Sequence, residues 1–268
     1  MQPEYRHLQI ENTPDGVRIV TLNRPEKLNS VNAVLEDELP RAIHEASADG
    51  SVRCVLLTGA GRGFCAGLEL TPDNIGRIRN AETRGAKLDD LGWVGRWALA
   101  LAGCEAPIVA AINGPAAGAG FALALAADIR VVSEAATMTC GYARIGLSPD
   151  AGMSYFLPRL VGIGRATEML LTARDIGAEE AVTSGIAAAR YPAADFATSA
   201  LAYATRIAQG PTCALALTKR LLLQTFDRDL KSQLRDEYAS IKQCFTTVDV
   251  PNAIQAFREK RKPVFEGR

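Results

Sequence analysis

Over its first two thirds the chain alternates short aliphatic runs with apolar stripes of helical period. VRIVTL at 17–22 and VRCVLLT at 52–58 read as strands rich in β-branched residues. Between them Val31, Val34, Leu35, Leu39, Ala42, Ile43 and Ala46 follow the spacing of an amphipathic helix, with Pro40 its expected kink. That succession is the βαβ signature of a sheet covered by helices, so the fold class is α/β. A further strand, PIVAAI at 107–112, runs through NGPAAGAG into an Ala/Leu-rich helix over 117–126 and then a strand DIRVVS at 128–133. From about residue 164 the pattern changes to an all-helical tail punctuated by Gly210-Pro211 and Val250-Pro251. Its Leu/Ala-rich faces are extensive enough to require burial on the sheet or on neighbouring subunits.

Composition narrows the classes of function. The 268 residues are 48% hydrophobic and 22% charged, with 30 basic against 30 acidic side chains. A net charge of zero provides no global field for a polyanion, so nucleic acid is not an expected partner. The apolar stretches are interrupted before reaching the roughly 20 residues that span a bilayer, so no membrane association is expected. The first residues lack the basic-then-apolar pattern of a secretory signal, and a cytoplasmic location is expected. Six cysteines, at 54, 65, 104, 140, 213 and 244, form no CxxC pair and read as reduced, mostly buried thiols. With His7 and His44 the entire imidazole supply, Ser-His-Asp, Cys-His and multi-His metal chemistry are disfavoured, and no metal site is expected. Acid-base work falls to carboxylates, Tyr or Cys.

Two glycine-rich turns follow strands: GAGRGFCAGLEL at 59–70 and NGPAAGAG at 113–120. Gly114, Gly118 and Gly120 have the spacing GxxxGxG, not the GxGxxG of dinucleotide sites, and no GK[ST] occurs in the chain. Each turn leaves backbone donors near a strand end. Two such donors can form an oxyanion hole; equally, the glycines can serve only tight strand-helix packing. Asp150, in GLSPDAG, admits two readings of its own: an acid-base group, or a turn residue and N-cap for a helix starting near Met153.

Five blocks together resemble the crotonase superfamily, the enoyl-CoA hydratase/isomerase family: NRPEKLNSVN at 23–32, LLTGAGRGFCAGLEL at 56–70, PIVAAINGPAAGAGFALALAADIRV at 107–131, GLSPDAGMSYFLPRLVG at 146–162 and FREKRKPVF at 257–265. The resemblance implies a crotonase-like ββα spiral core over 1–200 that binds acyl-CoA, and a C-terminal helical trimerisation region over 201–268. It implies a homotrimer or dimer of trimers and an acyl-CoA thioester substrate, with coenzyme A as part of the substrate and no separate cofactor. It places the oxyanion-hole amides at Leu68 and Ala119. The two glutamates of the family's hydratases are replaced here by Ala122 and Tyr142, while Asp150 stands where isomerases with a single carboxylate carry their acid-base group. An enoyl-CoA isomerase is therefore expected, with Asp150, Leu68, Ala119 and Tyr142 at the catalytic centre. A hydratase with non-standard acid-base residues, or an acyl-CoA-binding protein without turnover, are the alternatives.

For the CoA moiety the resemblance points to Lys27, Leu28, the carbonyls of Ala66 and Leu68, and Phe257 and Lys260 reaching over from the C-terminal helix. Glu69 and Asp73 are expected to face solvent or a ribose. Trp93, Trp97 and Leu99 either line the acyl pocket or pack in the core. Family members that dehalogenate aromatic acyl-CoAs also need a His in the middle segment, and residues 71–105 contain none.

Overall fold

A computed structural model describes residues 5–79 and 83–268. The strands are β1 (Leu8–Asn12), β2 (Val17–Leu22), β3 (Cys54–Gly59), β4 (Ile108–Ile112), β5 (Ala116–Ala117), β6 (Ile129–Ser133), β7 (Thr137–Thr139), β8 (Asp175–Gly177) and β9 (Ala189–Tyr191). The first half contains helices α1 (Ala33–Ala48), α2 (Pro72–Arg79), α3 (Arg84–Leu88), α4 (Gly92–Ala102) and α5 (Ala119–Ala126). The second half adds α6 (Met153–Val161), α7 (Ile163–Thr172), α8 (Ala178–Thr183), α9 (Phe196–Ala208), α10 (Thr212–Gln224), α11 (Leu230–Cys244) and α12 (Asp249–Arg258).

One sheet has the order β1-β2-β3-β4-β6-β9, antiparallel between β1 and β2 and parallel thereafter. A smaller sheet, β5-β7-β8, stands beside it. Because successive side chains in a strand point to opposite faces, the buried residues of the large sheet divide into two cores. Val55 and Leu57 of β3, with Ile108 and Ile112 of β4, pack with Leu35, Leu39 and Ile43 of α1 and with Trp97 and Phe121. Their neighbours Cys54, Leu56, Val109 and Ala111 face Phe196, Ala200, Ala204 and Ala208 of α9. Alanine at every fourth position lets α9 lie close on the sheet.

Helix α1 starts at Asn32, whose side chain accepts from the Leu35 amide, and continues through Pro40. Proline has no N–H to donate to the carbonyl four residues back, which is that of Glu36. The indole N–H of buried Trp97 donates to that same carbonyl at 3.0 Å, so α4 supplies the donor that Pro40 lacks. Trp97 is thus a core residue packed on α1.

The expectation of an all-helical region after residue 164 is corrected: β8 and β9 interrupt it, completing the small sheet and the edge of the large one. Each is three residues long, too short for a period-two pattern to register. Residues 200 and 201 both lie in α9, whose Ala200, Ala204 and Ala208 pack on the large sheet. All six cysteines are free and four are buried. His44 is exposed, and His7 meets the side chain of Asn32. Among the described residues no helix is long and apolar enough to cross a membrane.

Candidate active site

Both glycine-rich turns converge at the carboxyl ends of β3 and β4. Leu68 lies opposite Val31 in a short parallel bridge: the Val31 amide donates to the Gly67 carbonyl at 2.8 Å and the Glu69 amide donates to the Val31 carbonyl at 2.9 Å. In extended chain the peptide groups of alternate residues point to opposite sides. With residues 67 and 69 committed to Val31, the N–H and C=O of Leu68 are turned away from it, and the Leu68 amide has no acceptor among the described residues.

The second turn is zipped to the first. Cys65 bridges Ala116, and the Ala117 amide donates to the Cys65 carbonyl at 3.0 Å. Gly67, at φ +85°, comes so near that a Cβ there would lie 2.7 Å from the Ala117 carbonyl oxygen and 3.5 Å from the Ala119 nitrogen. This juxtaposition brings the residue before one unpaired amide against the other, since Ala119 opens α5 and its N–H also lacks an acceptor among the described residues. The unusual backbone angle belongs to Gly118, at φ 51° and ψ −125°, and Ala119 has no positive φ, so its methyl group is accommodated.

Asp150 and Tyr142 meet on the same wall. The phenol of Tyr142 donates to Asp150 Oδ1 at 2.5 Å. Tyr142 is 7% exposed, and its ring carbon Cζ lies 3.9 Å from where a Cβ on Gly118 would stand, one residue from the Ala119 amide. Burial and the adjacent carboxylate push the phenol far above its ordinary pKa, so it remains a hydrogen-bond donor. Burial raises the Asp150 pKa and the Tyr142 hydrogen bond pulls it partly back. Asp150 as a residue still reaches solvent, so an acyl chain lying over it would deepen that desolvation.

The alternative role for Asp150, capping a helix, is not the one found. Helix α6 follows Gly152, with no side-chain cap, while only the backbone carbonyl of Asp150 closes the turn onto the Met153 amide. Ala151 takes a positive φ of 51° to make this turn. The carboxylate is thereby released toward Tyr142. Ala98 of α4 borders the same turn, 3.5 Å from a Cβ built on Gly152. Ala122 is fully buried within α5 and brings no polar group to the cleft.

Of the residues expected to meet a CoA moiety, Lys27, Leu28, Ala66 and Leu68 are neighbours. The Ala66 amide donates to the Leu28 carbonyl at 3.0 Å, and the carbonyls of Ala66 and Leu68 carry no donor among the described residues. Leu28 and Asn29 both adopt positive φ, at 49° and 56°. Sequence reasoning missed Asn29: its buried side chain accepts from the Arg24 amide and donates to the carbonyls of Ala60 and Gly63, tying this loop to the first glycine turn. The signal was the Asn within NRPEKLNSVN, an amide able to donate and accept in a segment forced into left-handed backbone. Glu69 also differs from expectation. It faces Arg24, at 2.8 Å, and Lys27, at 3.6 Å, and these cations hold its carboxyl below the usual range, whereas Asp73 is exposed.

Phe257 and Lys260 are not brought to this cluster within one chain. They lie at the end of α12, Phe257 85% exposed, with no hydrogen bond or ion pair to the 24–69 segment among the described residues. A cavity of about 360 Å³ between α6 and α10 includes Phe156, Arg159 and Lys219 in its walls but none of Leu68, Ala119, Tyr142 or Asp150. The two unpaired amides and the Tyr-Asp pair, rather than the size of a hollow, mark the candidate place for chemistry.

Known proteins match the whole of this architecture. Residues 12–268 match the family described as enoyl-CoA hydratase/isomerase. A "probable enoyl-CoA hydratase" of Rhodobacter capsulatus is 39% identical over 255 residues, 95% of this chain and 96% of that protein. The 1,2-epoxyphenylacetyl-CoA isomerase of Escherichia coli is 34% identical over 253 residues, 94% of this chain and 96% of that one. A crystal structure described as a "putative enoyl-CoA hydratase" of Streptomyces coelicolor A3(2) superposes with a TM-score of 0.92 at 37% identity, covering 100% of this chain and 97% of that one.

Proposed function

The chain belongs to the enoyl-CoA hydratase/isomerase family and has its crotonase fold, and from that premise we propose that it is an enoyl-CoA isomerase working through a thioester enolate. The Asp150 carboxylate removes a proton from C2 of a 3-enoyl-CoA. The C–H electron pair forms the C1–C2 double bond and the thioester oxygen becomes negative, facing the amides of Leu68 and Ala119. Asp150, now protonated, returns the proton to C4, and the double bond emerges between C2 and C3. Each well-aimed amide contributes roughly 3–4 kcal/mol to the transition state. Coenzyme A enters as part of the substrate, and the reaction needs no metal or further cofactor.

The observation that carries this reading is the 2.5 Å hydrogen bond from buried Tyr142 to Asp150, on a ring packed against Gly118 beside the Ala119 amide. It holds one carboxyl oxygen and leaves the other for a proton. Hydration asks for a second acid-base group to orient water. Ala122 supplies none, and Tyr142, its pKa raised, is a donor rather than a base. The isomerase name of the E. coli relative agrees with a single-carboxylate mechanism, whereas the hydratase name of the R. capsulatus relative favours the second reading, hydration with relocated acid-base groups. An acyl-CoA-binding protein without turnover is the third.

Lys27, with a half-exposed side chain, suits the CoA phosphates, and the carbonyls of Ala66 and Leu68 suit the adenine amine. The exposed apolar residues of the C-terminal helices, including Leu222, Phe226, Leu230, Leu234 and Phe257, support a homotrimer or dimer of trimers in which Phe257 and Lys260 reach a neighbouring cleft. A cytoplasmic enzyme is proposed. Steady-state assays on 3-enoyl-CoA and crotonyl-CoA test the function: conversion of the first with negligible hydration of the second is expected. Hydration of crotonyl-CoA at a comparable rate would overturn the isomerase assignment, and acyl-CoA binding with neither reaction would leave the binding protein.

A further inference from the structure

We infer that Glu69 is a positioning residue that links the nucleotide-facing Lys27 to the Leu68 amide, so that occupation of the CoA phosphate site steadies the oxyanion hole. The inference rests on the reading above, in which Leu68 is an oxyanion donor. Glu69 directly follows Leu68, and its own amide makes one of the two Val31 hydrogen bonds that turn the Leu68 N–H into the cleft.

The Glu69 carboxylate is divided between two cations of different character. Oε2 accepts from Nη2 of Arg24 at 2.8 Å. Arg24 is 8% exposed, and its Nη1 donates to the Ser30 carbonyl at 2.5 Å, so one guanidinium fork grips both chains of the Val31–Leu68 bridge. Oε1 faces Lys27 Nζ at 3.6 Å, beyond hydrogen-bond length, on a side chain 55% exposed. The inner contact is fixed by the fold and the outer one is exchangeable. A phosphate on the ligand competes for Lys27, and the Glu69 charge is then borne by Arg24 alone, which strengthens the grip across the bridge. Binding energy from a remote, non-reacting part of the substrate is thereby used at the reacting carbonyl, and such energy appears in kcat.

The test compares one 3-enoyl group carried on coenzyme A and on pantetheine, which lacks the nucleotide and its phosphates. In the wild-type protein, kcat on the CoA thioester should exceed that on the pantetheine thioester by about five- to tenfold, within the usual range of coupling between sites. In Glu69→Gln and in Lys27→Ala, each checked for folding by circular dichroism, the two kcat values should fall together to the lower level. Lys27→Ala, a change at a half-exposed side chain, keeps the test decisive should the Glu69 variant not fold. Equal kcat values on the two substrates in the wild type, or a wild-type ratio surviving in a folded variant, would overturn the inference. A purely structural Glu69 would lower kcat on both substrates in proportion, leaving the ratio intact. Asp150→Asn is assayed alongside: full activity in that variant removes the enolate reading itself, and absence of wild-type turnover on either thioester removes both, whereas an unchanged ratio removes only the Glu69 link.

Discussion

Replacing Tyr142 by Phe removes a single oxygen from the site and keeps the ring that packs near Gly118. The lost interaction is a hydrogen bond from a buried phenol to a carboxylate, of a kind that contributes about 1.5–3 kcal/mol. It favours the charged form of Asp150, so its loss raises the Asp150 pKa. The sign follows from the two opposing causes: burial already lifts this carboxyl, and Tyr142 is what holds it down. With the carboxylate as the proposed base, kcat/KM falls as pH drops through that pKa. The acidic limb of the kcat/KM profile for 3-enoyl-CoA should therefore lie at higher pH in Tyr142→Phe than in the wild type. Cys140, the other titratable neighbour of Tyr142, has its thiol pushed up by burial to about 11 and remains protonated across that limb. Profiles measured in parallel at fixed ionic strength decide the matter. An acidic limb that stays in place or moves to lower pH would show that Tyr142 does not tune the group responsible for catalysis.

Two further substitutions probe the frame. Gly67→Ala should lower stability by ~2–3 kcal/mol, because a Cβ at positive φ also meets the Ala117 carbonyl at 2.7 Å; a reduced melting temperature with a disproportionate loss of kcat is expected, and wild-type kcat would dissociate that contact from the oxyanion hole. Trp97→Phe should cost about 1–3 kcal/mol in chemical denaturation, since it deprives the Glu36 carbonyl of the donor that Pro40 cannot supply; an unchanged unfolding midpoint would refute that accounting.

Strands β2, β3, β4 and β6 of the large sheet were legible because each carries its pattern over five or six residues, β2 lying at 17–22 as expected and α5 ending where its Ala/Leu run ends; the edge strands β1 and β9 were not. The small sheet was not legible. Strands of two or three residues, such as β5 and β8, are specified by where their neighbours lie, not by their own composition. At the site, the glycines announced close backbone approach but not which amide would be left unpaired. That depends on Val31, some 36 residues from the turn, engaging the residues on either side of Leu68. Asp150 could be read as a cap or as an acid from its turn sequence alone; its side chain caps no helix and instead accepts from the phenol of Tyr142. The environment of Glu69 was invisible because its partners, Arg24 and Lys27, precede it by more than 40 positions. Trp97 had a helical spacing compatible with either pocket or core, and its indole hydrogen bond to the Glu36 carbonyl of α1 is what places it in the core.

Transfer of a label between carbons by Asp150 is the step on which the account stands. A 3-enoyl-CoA carrying deuterium at C2, incubated in ordinary water with the wild-type protein, should give 2-enoyl-CoA with part of that deuterium at C4. The Asp150→Asn variant should lose both the label transfer and the overall rate by about 10²–10⁴-fold. Isomerisation at the wild-type rate in Asp150→Asn, with deuterium still delivered to C4, would contradict the account.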